Sequence, residues 1–346
     1  MSAIDWKDPK RTDVIRFQMV DPNNLDEVFG DVEDVQLGSS DVTFGYYTDT
    51  RYTSRITFLH GNNYVPNMWI RIVHEVPAAD YVNELGTFVP VSPNVNYGGA
   101  VTDSYTLQSP LWALKNDLCT SSFAVAKGMR FGNAFQYACE KCGRPYIMQN
   151  PNDWAAEKSV VWECGTSYLQ ILMDIADATN NRVDLDGHGR ILLSPLDDMR
   201  YVSPSWELDS DDPRSIILEG SIKMEPESDE IPNRTIVVNG SYIGVADLPD
   251  GAEYSAAQRG YVKAQKYTGT GIKSTAAAQA MAKAYLDGFA KVTQWTMSTL
   301  YFPCKCGETV MFTMNGEKHL CMIQSIDPVE LDTMTMKLTL REVANG

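Results

Sequence analysis

The sequence predicts a mainly β protein with α+β character, in which two β-rich stretches bracket a short α/β stretch. Three observations carry that prediction. Residues 12–118 hold short alternating runs punctuated by Gly and Asn. The middle holds two apolar stripes at helical spacing, and clear alternation returns in the last third. Many short strands with turn signals between them suggest a barrel or a sandwich.

The first strand is "DVIRFQMV", with Val14, Arg16, Gln18 and Val20 opposite Ile15, Phe17 and Met19. "RYTSRITFLH" and "NMWIRIVHEV" read as further strands. In the latter, Trp69, Arg71, Val73 and Glu75 face one way and Met68, Ile70, Ile72 and His74 face the core, His74 near its end. In the middle, "SSFAVAKG" is a short strand ahead of a helix, "MRFGNAFQYACEKC", with Phe131, Phe135, Ala138 and Cys142 on one face and Gly143 to end it. A second helix, "SYLQILMDIADAT", opens on a capping-box pattern of Ser167 and Gln170, carries the stripe Leu169, Leu172, Met173 and Ala176, and stops at Asn180 and Asn181. Farther on, "NRTIVVNG" is a strand and residues 246–272 look loop-rich. "STAAAQAMAKAYLDGFAK" is a helix capped by Ser274, with Ala277, Met281, Ala284, Tyr285 and Gly288 on one face. "VMFTMNGEKHLCMI" is a hairpin whose Asn315-Gly316 suits a type I′ turn. In "MTMKLTLRE", Met334, Met336, Leu338 and Leu340 alternate with a wet face of Thr335, Lys337, Thr339 and Arg341.

Length, 346 residues, gives room for two or three domains. No apolar run reaches the length of a membrane span, and "MSAIDWKDPKRTD" has no signal-peptide core, so the chain is expected to begin life in a cytoplasm. Lys and Arg total 29 against 45 Asp and Glu, a formal charge of −16, which disfavours a general nucleic-acid binder. Seven scattered cysteines without a secretion signal read as thiols rather than a disulfide framework.

Chemistry is sparse. "RVDLDGHGRILLSP" has calcium-loop spacing, with Asp184 at position 1, Asp186 at 3, His188 at 5 and Gly189 at 6, but Pro195 holds the twelfth place, where a bidentate carboxylate is needed. The alternative is a hairpin: strand 182–185, turn 186–189, strand 190–193. Cys139 and Cys142 form a CxxC at a helix C-terminus, where the dipole opposes thiolate. With Cys304 and Cys306 they make the one weak zinc candidate; the other reading packs Cys142 in a core and sets Cys304 and Cys306 beside a turn. No nucleophile elbow, zincin, P-loop or dinucleotide motif is present. His60, His74, His188 and His319 show no partner pattern, and the carboxylates Asp209/Asp211/Asp212 and Glu225/Glu227 fall in polar connectors. No catalytic residue and no cofactor are expected.

The order of segments resembles the central hub proteins of phage tails and baseplates, over roughly residues 14–343. "VVWECGTSYLQILMDIADATNNRVDLDGHGRILLSP" is similar to that family's aromatic-Glu-x-Gly-Thr-Ser, helix, turn, D-x-x-G and strand ending in Pro. "FAVAKGMRFGNAFQYACEKCG", "IPNRTIVVNG", "SAAQRGYV", "AAQAMAKAYLDGFAKVTQWTMSTLYFP" and "CGETV" resemble flanking pieces in the same order. The chain departs at Gly307-Glu308, where the family often has Gly-Asp, and at the short turn Cys304-Lys-Cys306.

The resemblance implies two similar antiparallel β-barrel domains of tube type, 1–119 and 201–346, bracketing an α/β domain at 120–200, with a helical insertion at about 246–292 in the second barrel. It implies a virion structural protein: a homotrimer joining a sixfold tail tube to a threefold tail tip. Implied partners are the tail tube or distal tail protein, the tape-measure protein and the tip or spike protein, with DNA passing transiently through the lumen. Rival readings are a hub or spike subunit of a contractile injection apparatus, a cell-wall hydrolase with convergent carboxylates or zinc, and a carbohydrate-binding tail component. The last needs exposed aromatics, whereas Trp295, Tyr301 and Phe302 read as strand core or interface.

Overall fold

Alternation becomes strand throughout both β-rich stretches. The computed structural model describes residues 4–8, 10–98, 100–196, 202–226, 231–239, 242–252, 254–268, 274–289 and 293–343. The first stretch forms β1 (Val14–Asp21), β2 (Asn24–Asp31), β3 (Asp41–Gly45), β4 (Tyr52–Leu59), β5 (Trp69–Val76), β6 (Tyr81–Asn96) and β7 (Thr102–Gln108). The middle forms α1 (Pro110–Asn116), β8 (Phe123–Val125), α2 (Phe131–Lys141), β9 (Tyr146–Met148), β10 (Val160–Trp162), α3 (Tyr168–Ala178), β11 (Asn181–Leu185) and β12 (Ile191–Pro195). Then come β13 (Trp206–Asp209), β14 (Lys223–Pro226), β15 (Arg234–Asn239), β16 (Tyr242–Asp247), α4 (Ala256–Arg259), β17 (Ala264–Thr268) and α5 (Thr275–Phe289). The chain closes with β18 (Thr293–Leu300), β19 (Thr309–Met314), β20 (Glu317–Glu330) and β21 (Thr335–Glu342).

The class is mainly β with an α/β middle, as the sequence predicts. The two β regions do not close separately among the described strands. One thirteen-stranded sheet runs β14-β18-β21-β20-β3-β4-β7-β6-β5-β1-β2, with β19 on β20 and β13 on β19. The regions join where β20 pairs with β3, Ser325 opposite Gly45 and Glu330 opposite Asp41. Their side chains share one core, with Phe58, Ile70, Ile72 and Phe88 in the same cluster as Met297, Phe312, Ile323 and Leu338. Each such fully buried side chain contributes about 2 kcal/mol through area removed from water.

The middle has its own core, in which Phe135, Ala138 and Cys139 of α2 meet Leu172 and Ile175 of α3. Helix α3 starts where expected, the Ser167 hydroxyl accepting the Gln170 N–H at 3.2 Å. Gly143, at φ +64°, takes the chain out of α2. Asn315 (φ +52°) and Gly316 (φ +77°) make the turn between β19 and β20.

Three expectations need correction. Strand β5 is buried on both faces, with Trp69, Arg71 and Val73 as enclosed as Ile70, Ile72 and His74. Residues 246–272 contain α4 and β17, and β17 pairs in parallel with β15. The buried face of α5 is Ala278, Ala282 and Leu286, with the predicted Tyr285 packed beside them, while the predicted Ala277 and Met281, one position back, are exposed. The reason is β16: a Cβ on Gly244 would lie 2.1 Å from the Ala278 carbonyl, so this face of the helix lies directly on that glycine. Gly288 and the Ala284 side chain belong to parts of α5 not described at side-chain level.

Candidate functional site: the seam of three units

The β11–β12 hairpin stands at the centre of an elaborate polar seam. Its turn is built locally. Asp186 accepts the Arg190 N–H at 2.8 Å through one carboxylate oxygen and Arg190 Nε at 2.6 Å through the other. Gly189 supplies the positive φ of +87°. Asp184 pairs with Arg182 at 2.9 Å, and Pro195 sits in the ladder opposite Asn181. The calcium-spaced stretch is therefore a hairpin, and both aspartates are occupied as turn and strand residues. Among the described residues no three His, Cys, Asp or Glu side chains are grouped so as to hold a metal ion.

The hairpin tip docks on the first β region. Thr87 Oγ1 donates to the Gly187 carbonyl at 2.9 Å. A Cβ on Gly187 would stand 2.5 Å from Glu84 Cβ, so no larger residue fits this approach. His188 lies between Asp26 at 3.3 Å and Glu84 at 3.4 Å. Beneath the tip, Arg71 donates through Nε to Thr87 Oγ1 at 3.1 Å and through Nη2 to the Leu25 carbonyl. Burial pushes the Arg71 pKa down, against the pull of Glu84, Asp26 and Asp186.

The hairpin's flank meets both β regions at once. Arg51, held at φ +62°, donates through Nε and Nη2 to the Val183 carbonyl at 3.0 and 2.8 Å. Its Nη1 donates to the carbonyls of Tyr46 and Thr48 at 2.6 and 3.2 Å. The Arg182 guanidinium lies 3.9 Å from the Tyr46 ring centroid. From the second region, Gly307 (φ +93°) comes so close that a Cβ would stand 2.6 Å from Tyr46 and 2.7 Å from Arg182. A cavity of about 100 Å³ remains at this meeting point, lined among others by Arg51, Glu84, Asp184, Cys304 and Cys306.

The structure does not bring the two cysteine pairs together. Cys139 is enclosed in the α/β core with Cys142 against it, while Cys304 belongs to the sheet core with Cys306 at its margin. Burial raises all four thiols, Cys142 to about 11 and Cys306 to about 12. Of the carboxylate clusters, Asp211 caps the Asn315 and Gly316 N–H groups at 3.0 and 2.8 Å and Asp212 holds Lys7 at 2.6 Å. Glu227 lies outside the described residues. Trp295, Tyr301 and Phe302 are core residues, not an exposed aromatic platform.

Sequence reasoning missed the histidine partners. Each imidazole faces a carboxylate remote in sequence: His60 with Asp103, His74 with Asp13, His188 with Asp26 and Glu84, and His319 with Glu342. Strand pairing creates the neighbours of His60, His74 and His319 and docking of the hairpin tip creates those of His188, so no local spacing could have announced them.

Solved structures of three tail proteins have a similar fold. The structure is similar over nearly all of its length to the tail protein from Neisseria meningitidis MC58, with a TM-score of 0.69, 12% identity, and coverage of 96% of this chain and 98% of that one. It is similar to the 43 kDa tail protein of prophage MuSo2 from Shewanella oneidensis, with a TM-score of 0.66, 8% identity, and coverage of 95% and 98%. The prophage tail protein gp18 from Listeria monocytogenes EGD-e follows, with a TM-score of 0.56, 10% identity, and coverage of 96% and 95%. No protein-family model matches the sequence, and no curated protein does.

Proposed function

We propose that this chain is a structural virion protein, a hub of a phage tail or baseplate. The observation that carries this reading is the likeness in fold, over nearly all of the chain, to three tail proteins, at identities where only architecture is retained. In this reading residues 1–119 and 201–346 are two tube-type domains, 120–200 the α/β domain between them, and about 246–292 the insertion. Three copies form a ring, and two tube-type domains per copy give six modules to meet a sixfold tube above, with a threefold tip below. The partners are then the tube or distal tail protein, the tape-measure protein and the tip or spike protein. The work is geometric, carried by edges and seams rather than by catalysis. The net charge of −16 faces, in part, a lumen through which DNA passes without sticking.

Mass measurement of the purified chain combined with negative-stain imaging tests this. A threefold ring with a central hole supports it. A compact particle without a hole, alone and when mixed with a tail-tube or tip partner, overturns it. A ring with a neutral or basic inner wall removes the proposed role of the charge and leaves the hub reading standing.

A further inference from the structure

The segment ahead of β1 is more closely held than a segment leading into a strand needs to be. Trp6 lies in an aromatic box, with ring centroids 5.5 Å from Tyr81, 6.3 Å from His74 and 6.4 Å from Tyr301. Tyr81 and His74 belong to the first β region, while Tyr301 follows β18 in the second. Arg11 stacks 4.9 Å from the Trp6 ring centroid and donates to the Trp6 carbonyl at 3.0 Å and to the Tyr301 carbonyl at 3.2 Å. Lys7 reaches Asp212, also in the second region, at 2.6 Å. The segment thus touches both β regions through separate side chains.

One titratable group sits at the bottom of this arrangement. His74 is fully buried, and its Nε2 lies 2.6 Å from Asp13 Oδ1. Its Nδ1 is buried without a hydrogen-bond partner. Asp13 is already engaged by Arg11, whose Nε lies 3.0 Å from each carboxylate oxygen. The other groups around His74 are Tyr81 and Tyr301, both uncharged, and Glu75 on its own strand. The neutral ring satisfies this site by donating from Nε2. Protonation at Nδ1 would add a buried donor with no acceptor and leave a second cation beside one carboxylate.

We propose that the segment ahead of β1 is a clasp that ties the first β region to the second and that mild acid releases through protonation of His74. Burial pushes the His74 pKa below its ordinary value, with the Asp13 hydrogen bond pulling the other way. The sign follows from that direction: the clasped form favours neutral imidazole, so its advantage is complete above the ordinary histidine range and is lost as pH falls through it.

Hydrogen exchange of the full chain, corrected for intrinsic rates, tests this between about pH 7 and about pH 5. Protection of residues 4–8 and 10–13 should fall about tenfold over that range while α3 and β11 keep theirs. His74→Gln, whose amide donates to Asp13 without titrating, should show no such fall. Asp13→Asn removes the opposing carboxylate and should move release to higher pH. Protection that is independent of pH overturns the proposal, as does a fall shared by wild type and His74→Gln. If His74→Gln does not fold, release of Asp13→Asn at the wild-type pH overturns it instead.

Discussion

Strands β5 and β21 look alike in sequence and live differently. Both have eight residues, and in both apolar residues alternate with a set containing arginine. In β21 the second set is wet, with Lys337 exposed and Arg341 half-buried. In β5 the second set is enclosed, with Arg71 only 4% exposed. The cause is the α/β unit. Its hairpin tip lies on Thr87 above Arg71, and its Arg144 stacks 4.8 Å from the Trp69 ring centroid. The middle unit is thus seated on the first β region, and an arginine that would be solvated in one place becomes structural in the other.

The sharpest way to break that contrast is to remove the arginine. Arg71→Ala should cost about 3 kcal/mol in denaturant unfolding, because it strips the Leu25 carbonyl and Thr87 hydroxyl of their buried donor and leaves a void. Lys337→Ala on β21 should stay within about 0.5 kcal/mol. If the two substitutions cost the same, the covered face of β5 is not what the arginine supports.

Next comes the tip itself. Gly187→Val should cost about 2 kcal/mol, since its Cβ would meet Glu84 at 2.5 Å. Hydrogen exchange should place the loss in β11, β12 and the first half of β6, not in β18–β21. Exchange spread evenly over both regions would contradict the seating described.

The smallest effect concerns the join between regions. Asp41, opposite Glu330 on β20, has its pKa raised by burial first and by Asp327 in addition, with Arg55 opposing. A carboxyl raised on folding weighs against the folded state when ionised, so stability should rise as pH falls through its raised value toward the ordinary carboxylate range. Asp41→Asn should gain about 0.5 kcal/mol near neutral pH, a figure kept small because the side chain is part-solvated, and should flatten that rise. A thermal-melt series across pH checks both.

Much of the fold was legible because its signals are local. The hairpin from Asn181 to Pro195, the Ser167 cap, the Asn315-Gly316 turn and the alternation of β21 each rest on neighbours within a few residues. The join of β20 to β3 was not legible, since it brings together residues nearly three hundred positions apart and either strand could pair elsewhere. The face of α5 was misread by one residue because Ala occupies both candidate stripes, so apolar periodicity cannot choose between them; Gly244 on another strand does. The seam was half legible: the turn residues Asp186 and Gly189 could be read, but nothing local marks Arg51 and Tyr46 as the partners of Val183 and Arg182.

Arg51 has one further consequence. Its single planar fork answers to carbonyls from two separate stretches of chain, at Tyr46 and Thr48 on one side and Val183 on the other. The bonds to Tyr46 and Thr48 fix the guanidinium on the first β region, so a small rotation of the α/β unit would stretch both bonds to Val183 together. The unit and the first β region should therefore melt in a single calorimetric transition, and force applied to either should reach the other with little slack.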